Sequence, residues 1–302
     1  MKILKSSIVV AGSSNTDMVI KTTRLPQPGE TIIGGDFFMN AGGKGANQAV
    51  AAARLGAKVL FIAKTGDDIF GREAVELFKA EGIDTSCMIT DPSHPSGVAL
   101  ITVDEEGENC IVVASGANAA LTMNDFQLAE ARIENAAIIL VQLEIPLDTV
   151  KYIAALSSSK KITLVLNPAP ACKLPDELLK YVSVITPNQK ETEMLTGVLV
   201  NDKTSAQHAA KILHAKGIET VIITMGSQGA FVSENDESSM IAAPKVKAVD
   251  TTAAGDIFNG ALVVALSEGK NTIDAVDFAC RAAAISVTRL GAQACAPYRS
   301  EL

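Results

Sequence analysis

Short runs of apolar, β-branched residues recur along the chain, separated by longer stretches in which apolar residues fall at helical spacing. SIVVAG (7–12) predicts a first buried strand. GANQAVAAARLG (45–56) predicts an Ala-rich helix with a Gly stop, KVLFIAKTG (58–66) a strand, and REAVELFKAEG (72–82) a second Gly-stopped helix. AIILVQLE (137–144), LDTVKYIAALSS (147–158), ITLVLNP (162–168), VSVITPN (182–188), a helix over 204–216 and TVIITMG (220–226) continue the alternation. Strands too apolar to face water, alternating with helices, imply βαβ units and a mainly parallel sheet covered on both faces. The expected fold is a three-layer α/β/α sandwich, with ligands at the carboxyl ends of the strands.

Two stretches break the rhythm. Residues 16–41 contain DMVIKTT and TIIGGDFFMNA; residues 97–115 contain GVALITVD, the turn EEGEN and CIVVAS. Their alternation and turn chemistry predict antiparallel strands. They form either a small β lid projecting from the body or edge strands of the main sheet. No repeat, low-complexity tract or linker-like shift interrupts residues 1–302, so one domain is expected.

Charge and cysteine content narrow the function classes. The net charge of −8 argues against non-specific nucleic-acid binding. Five cysteines without a C-x-x-C pair fit a reduced, cytoplasmic protein. The apolar run in MKILKSSIVVAG is short for a signal peptide, and AAIILVQL (136–143) and GALVVAL (260–266) are far below membrane-spanning length. His208 and His214, six apart on one expected helix, do not share a face for a metal.

The Gly-rich segment NAGGKGANQ (40–48) is neither of the familiar phosphate loops. Lys44 is followed by Gly45 rather than Ser or Thr, and Gln48 stands where a dinucleotide fingerprint needs its third glycine. Gly43 and its neighbours allow a ligand close to the backbone, and Lys44, Asn47 and Gln48 supply donors and acceptors suited to a polyhydroxyl ligand. A solvated loop with a capping Asn satisfies the same composition. Asn15 and Asp17 follow the first strand and share a face; they could grip neighbouring hydroxyls or form an ordinary loop pair. Glu144 closes the strand before Pro146, as a site acid or a turn acid.

DTTAAGDIFNGAL (250–262) carries the sharpest signal. Ala253, Ala254 and Gly255 offer bare backbone amides at the expected start of a helix, an anion hole at the positive end of its dipole. Asp256 is placed to reach a hydroxyl held against that hole, and the helix end is expected to favour its charged form.

With GSSNTD, PGET (28–31), GGKGANQAVAAARLGA (42–57), TGDD (65–68), LNPAPA (166–171), TPNQKE (186–191), TMGSQG (224–229), VDTTAAGDIFNGAL (249–262) and VTRLGAQ (287–293), the chain resembles the PfkB-type carbohydrate kinase family nearly end to end. The resemblance implies transfer of the ATP γ-phosphoryl group to a primary sugar hydroxyl, with D-ribose as the expected sugar. Deoxyribose, fructose, a nucleoside or a non-catalytic sugar-binding role are the alternatives. It implies Asp256 as catalytic base, with Ala253, Ala254 and Gly255 as the anion hole. Asn15, Asp17, Gly43, Lys44, Asn47, Glu144 and Asp256 become sugar contacts. Thr224, Gly226, Ser227, Gly229, Gly255, Asn188 and Cys280 fall to the nucleotide. Glu191 matches a residue that holds Mg²⁺ through water, and Asp250, Thr252, Ser286, Arg289, Gly291 and Cys295 match a K⁺ loop. Sulfur at Cys295 departs from a hard oxygen donor, which puts that contact in doubt. The resemblance also implies a homodimer joined through the β lid. The chain stops at PYRSEL, earlier than family members with a further terminal helix, and looser packing of the nucleotide edge is expected from that.

Overall fold

The computed structural model describes residues 7–302; the start of the apolar run weighed as a leader lies outside the described residues. Among the described residues the strands fall into three sheets. The main sheet runs in the order β14-β13-β12-β11-β10-β9-β1-β4. These are β1 (Ser7–Ala11), β4 (Lys58–Ile62), β9 (Ala136–Val141), β10 (Thr163–Leu166), β11 (Val184–Ile185), β12 (Thr220–Thr224), β13 (Ala230–Glu234) and β14 (Glu237–Ile241). All neighbours are parallel from β4 through β12, and β13 and β14 add an antiparallel edge. The second sheet, β3-β2-β7-β8, holds β2 (Asn15–Lys21), β3 (Asp36–Gly42), β7 (Gly97–Val103) and β8 (Asn109–Ala114). A parallel pair, β5 (Lys64–Gly66) with β6 (Ile89–Asp91), stands apart.

The helices are α1 (Lys44–Arg54), α2 (Ile69–Ala80), α3 (Met123–Leu128), α4 (Glu130–Ile133), α5 (Leu147–Lys160), α6 (Asp176–Leu179), α7 (Gln189–Thr196), α8 (Lys203–His214), α9 (Ala254–Ser267) and α10 (Thr272–Ser286). They cover both faces because the strands are apolar on both. Ile8 and Val10 of β1 enter one core with α1, α9 and α10, whereas Val9 and Ala11 enter the other with Ile153 of α5 and Leu213 of α8. Successive residues of a strand point to opposite faces, so an unbroken apolar run feeds two cores.

Helices α1 and α9 approach closely. A Cβ at Gly260 would lie 2.6 Å from the Ala51 Cβ and 2.8 Å from the Gln48 carbonyl oxygen. Without side-chain bulk there, the helix that follows the GGK segment lies directly against the one that starts at Ala254.

Two expectations change. The run 58–66 is not one strand: it passes from the main sheet into β5 at Ala63. The second sheet is separate from the main one rather than a set of its edge strands, and it is antiparallel in its outer pairs, while its central pair β2–β7 is parallel. One of its faces exposes Phe37, Met39, Leu100 and Val112, and the face that carries Asp17 exposes Ile111 and Val113. Among the described residues, no helix is long and apolar enough to cross a membrane.

Candidate active site

Strands β1, β9, β10, β11 and β12 all end at one edge, where α9 begins. The turn before α9 is fixed by Asp250: its Oδ1 accepts from the Thr252 N–H and its Oδ2 from the Gly291 N–H, each at 2.9 Å. Ala253 then caps the helix in the left-handed region (φ 59°), a conformation that costs a non-glycine residue about 1 kcal/mol. Of the three amides expected to be bare, those of Ala253 and Gly255 find no protein acceptor, whereas that of Ala254 is turned toward the Thr251 carbonyl at 3.3 Å; the Asp256 N–H is free as well. The amide group at this helix start is therefore 253, 255 and 256 before 254. Beyond its chain neighbours and its own helix backbone, a Cβ built on Gly255 would meet no atom within 4 Å, so the space before the helix is open.

Asp256 lies at the cleft but is only 6% exposed. Its Oδ2 accepts from Asn47 Nδ2 and its Oδ1 from Gln48 Nε2, both at 2.9 Å. Burial pushes its carboxyl above the usual range; Lys44 and the two amides oppose this, and Glu144 adds to it. Burial therefore acts against the charged form that the helix end was expected to favour. The Asn47 Oδ1 is buried without a partner, as an acceptor waiting for a hydroxyl would be.

The other sugar candidates converge here. Asn15 Oδ1 accepts from Asn118 Nδ2 at 2.8 Å, which leaves the Asn15 amide hydrogens for a ligand. Asp17 is pushed up to about 6 by burial, with Glu144 and Asp256 adding and Lys44 opposing. Burial lowers the Lys44 ammonium, but Asp256, Glu144, Glu191 and Asp17 outweigh it and hold the lysine charged. Gly43 at φ 89° starts α1 without a side-chain cap, and Glu144 supplies the cap from a hundred residues away. Its Oε2 accepts from the Lys44 N–H at 3.0 Å and from the Ser13 hydroxyl. Glu144 therefore ties the start of α1 to the segment just after β1.

On the other side of Asp256 stand Asn188, Glu191 and Thr224. Asn188 caps α7 through a reciprocal pair with Glu191, whose carboxyl burial pushes up. Gly226 and Ser227 are exposed in the turn after β12. Gly229 (φ 99°) lets that turn close on β14, where a Cβ would stand 1.9 Å from the Ile241 carbonyl oxygen. Cys280 lies inside the α9–α10 core rather than on this cleft, and burial pushes its thiol up to about 12. In the segment expected to hold K⁺, Asp250 joins Thr252 to Gly291, Ser286 is buried, and the Arg289 side chain turns away to pair with Glu301. Cys295 Sγ donates to the Ala292 carbonyl at 2.9 Å, so the sulfur is already engaged. Among the described residues, no group of three or more His, Cys, Asp or Glu side chains could hold a metal.

Sequence reasoning passed over the support behind the cleft. Gln142, Asn118, Asn167, Thr186 and Asn259 are buried polar side chains on different elements, and Gln48 appeared only as a ligand donor. The available signal was Gln142 within an otherwise apolar strand run.

The pfkB family carbohydrate kinase profile matches residues 5–299. The chain belongs to the pfkB family of carbohydrate kinases. As a pfkB-family member it is an ATP-dependent carbohydrate kinase, and phosphoryl transfer of this kind generally needs a divalent metal. The chain is 48% identical over 298 residues to the ribokinase of Haemophilus influenzae, covering 99% of this chain and 97% of that protein. It is 37% identical to the deoxyribokinase of Salmonella typhi, covering 96% and 95%. Its fold superposes on Arabidopsis thaliana ribokinase complexed with ribose and ATP with a TM-score of 0.91 at 30% identity, covering 98% and 96%.

Proposed function

We propose that the protein phosphorylates D-ribose at its 5-hydroxyl with ATP, giving ribose 5-phosphate and ADP. The observation that carries this reading is the Asp256 carboxylate held by Asn47 and Gln48 beside unpaired amides at the start of α9. Asn15, Asp17, Lys44 and the unpaired Asn47 Oδ1 surround the hydroxyl-binding side, and the ribose-acting relatives above support the sugar. The ribose 5-oxygen forms a bond to the γ-phosphorus as the bond to the β,γ-bridging oxygen breaks. The hydroxyl proton passes to Asp256, and ADP departs with the bridging oxygen. The amides of 253, 255 and 256 accept the charge of the moving group.

ATP rests against Asn188, Thr224, Gly226, Ser227 and Gly229. The Glu191 carboxylate fits Mg²⁺ held through water: it is a hard oxygen donor on the cleft, with both oxygens already oriented by Asn188. Held there, Mg²⁺ would supply neutralisation of phosphate charge. Carbonyls near Thr252, Ser286, Arg289 and Gly291, in the segment tied together by Asp250, would hold K⁺, which would stiffen the turn before α9; the engaged sulfur of Cys295 is a poor donor for it. The chain acts as one domain whose second sheet closes over the sugar, and a homodimer covers the face of that sheet that exposes Phe37, Met39, Leu100 and Val112. We place the protein in the cytoplasm, in keeping with five free cysteines among the described residues.

A coupled assay of ADP release over ribose, deoxyribose, fructose and nucleosides, with and without K⁺, tests the reading. Ribose gives the highest kcat/KM. A clear preference for another sugar overturns the substrate, and no ADP release with any sugar overturns the reaction.

A further inference from the structure

Behind Asp256, away from the cleft, the side chain of Gln48 has no exposed surface. Its Nε2 donates to Asp256 Oδ1 at 2.9 Å and to Asn167 Oδ1 at 3.0 Å, and its Oε1 accepts from Gln142 Nε2. Carboxamides can turn end for end, so the direction of such a chain must be set elsewhere. Here backbone carbonyls set it at both ends. Asn167 Nδ2 donates to the Thr186 carbonyl, which can only accept, so its Oδ1 must face Gln48. Gln48 must then present nitrogen to Asn167, and its second hydrogen goes to Asp256. On the other branch, Asn259 Nδ2 donates to the Gly255 carbonyl at 2.8 Å, so its Oδ1 accepts from the Thr186 hydroxyl at 2.6 Å. The circuit leaves Asp256 through Gln48, Asn167, Thr186 and Asn259 and returns to the residue before Asp256.

We propose that Gln48 is a positioning residue of the transfer reaction: it acts only through Asp256, fixing the rotation of the carboxylate and directing its unoccupied lone pairs to the cleft. The inference rests on Asp256 being the base. Gln48 cannot touch a substrate, and its place between α1 and α9 depends on the bare approach at Gly260. Gln142 holds Gln48 from behind; its own Oε1 is buried and unpaired, and a Cβ at Gly12 would stand 2.1 Å from it. A donor to the charged carboxylate also opposes protonation of Asp256. The other charged groups acting there are Lys44 from α1, Glu144 after β9, Asp17 on β2 and Glu191 on α7.

The test is Gln48→Met, Gln142→Met and the double variant Gln48→Met/Gln142→Met, which removes both partners of one buried pair so that neither is stranded. Steady-state kinetics with ribose and ATP are measured from pH 5 to 9, normalised to nucleotide-binding sites. Gln48→Met and the double variant are expected to lower kcat by about 10–10²-fold, the scale of a misplaced reacting group. Their ribose KM stays within about threefold, and the acid limb of kcat moves up by about one pH unit, one lost donor being worth roughly that. Gln142→Met shows a smaller shift in the same direction. A wild-type acid limb with kcat reduced only in proportion to folded protein overturns the proposal, as does loss of soluble protein in all three variants, which assigns the network to folding. Asp256→Asn run alongside separates the two readings: an active Asp256→Asn removes the base, whereas an inactive one beside wild-type-like Gln48 variants removes only this inference.

Discussion

Replacing Asp256 by asparagine tests the base with little disturbance of its surroundings. Both carboxylate oxygens accept from carboxamide nitrogens, Asn47 on Oδ2 and Gln48 on Oδ1. A carboxamide at 256 must put its own nitrogen against one of them. Gln48 cannot turn, because Asn167 and Gln142 fix its ends. Asn47 can: its Oδ1 has no partner, and a turn of the amide offers that oxygen to the new nitrogen. The variant also removes a carboxylate whose charge burial disfavours. Asp256→Asn should therefore fold, with a melting temperature no lower than wild type. Ribose loses part of one hydrogen bond, about 1 kcal/mol or roughly fivefold in Kd. The proton acceptor is lost entirely, and a general base supplies about 10²–10⁴ in rate, so kcat should fall by about 10³-fold or more. Coupled ADP release gives kcat, calorimetry gives the ribose Kd, and a thermal melt reports the fold. Turnover within tenfold of wild type would refute the base. Ribose binding weakened more than a hundredfold would instead make Asp256 chiefly a sugar anchor.

Three further outcomes follow from the same geometry. Asp17→Asn should stabilise the ligand-free protein at pH 7.5: a carboxyl raised from 3.8 to about 6 destabilises when charged, fully above pH 6 and less as pH falls toward 3.8. Two units correspond to about 3 kcal/mol, discounted to about 1–2 for a half-buried group, so chemical denaturation should show a gain at pH 7.5 that disappears at pH 4; a gain of equal size at both pH values contradicts the electrostatic cause. Gly255→Ala should leave the melting temperature unchanged or slightly higher, since helix propensity gains up to about 1 kcal/mol and the methyl meets nothing beyond its chain neighbours and its own helix, yet ATP turnover should fall at least tenfold because that methyl enters the phosphoryl space. Wild-type turnover in that variant would move the transferred group elsewhere. Cys295→Ser should lower the K⁺ concentration for half-maximal activity severalfold, as oxygen replaces sulfur; an unchanged K⁺ titration would show that position 295 does not face the cation.

Much of the fold was legible because its strands are short apolar runs bounded by helical spacing. Residues 7–12, 137–144 and 220–226 each became a central strand. The β13–β14 hairpin was missed, although Asn235 and Asp236, both at positive φ, form a turn pair that favours such hairpins. The run 58–66 read as one strand because hydropathy does not report a change of sheet partner at Ala63. At the site, the GGKGANQ and DTTAAGD segments marked the two helix starts, but not how close they would lie. The burial of Asp256 was hidden for the same reason: the helix end is local, whereas burial depends on α1 packing against α9. The circuit through Asn167, Thr186 and Asn259 joins four separate elements and leaves no periodic trace.

The most direct measurement is a crystal structure of the protein with ribose and a non-hydrolysable ATP analogue. The account predicts the terminal phosphate within hydrogen-bond distance of the residue 253 and 255 amides, and the ribose 5-hydroxyl between that phosphate and the Asp256 carboxylate. A terminal phosphate away from the start of α9, or a ribose whose 5-hydroxyl points away from Asp256, would contradict it.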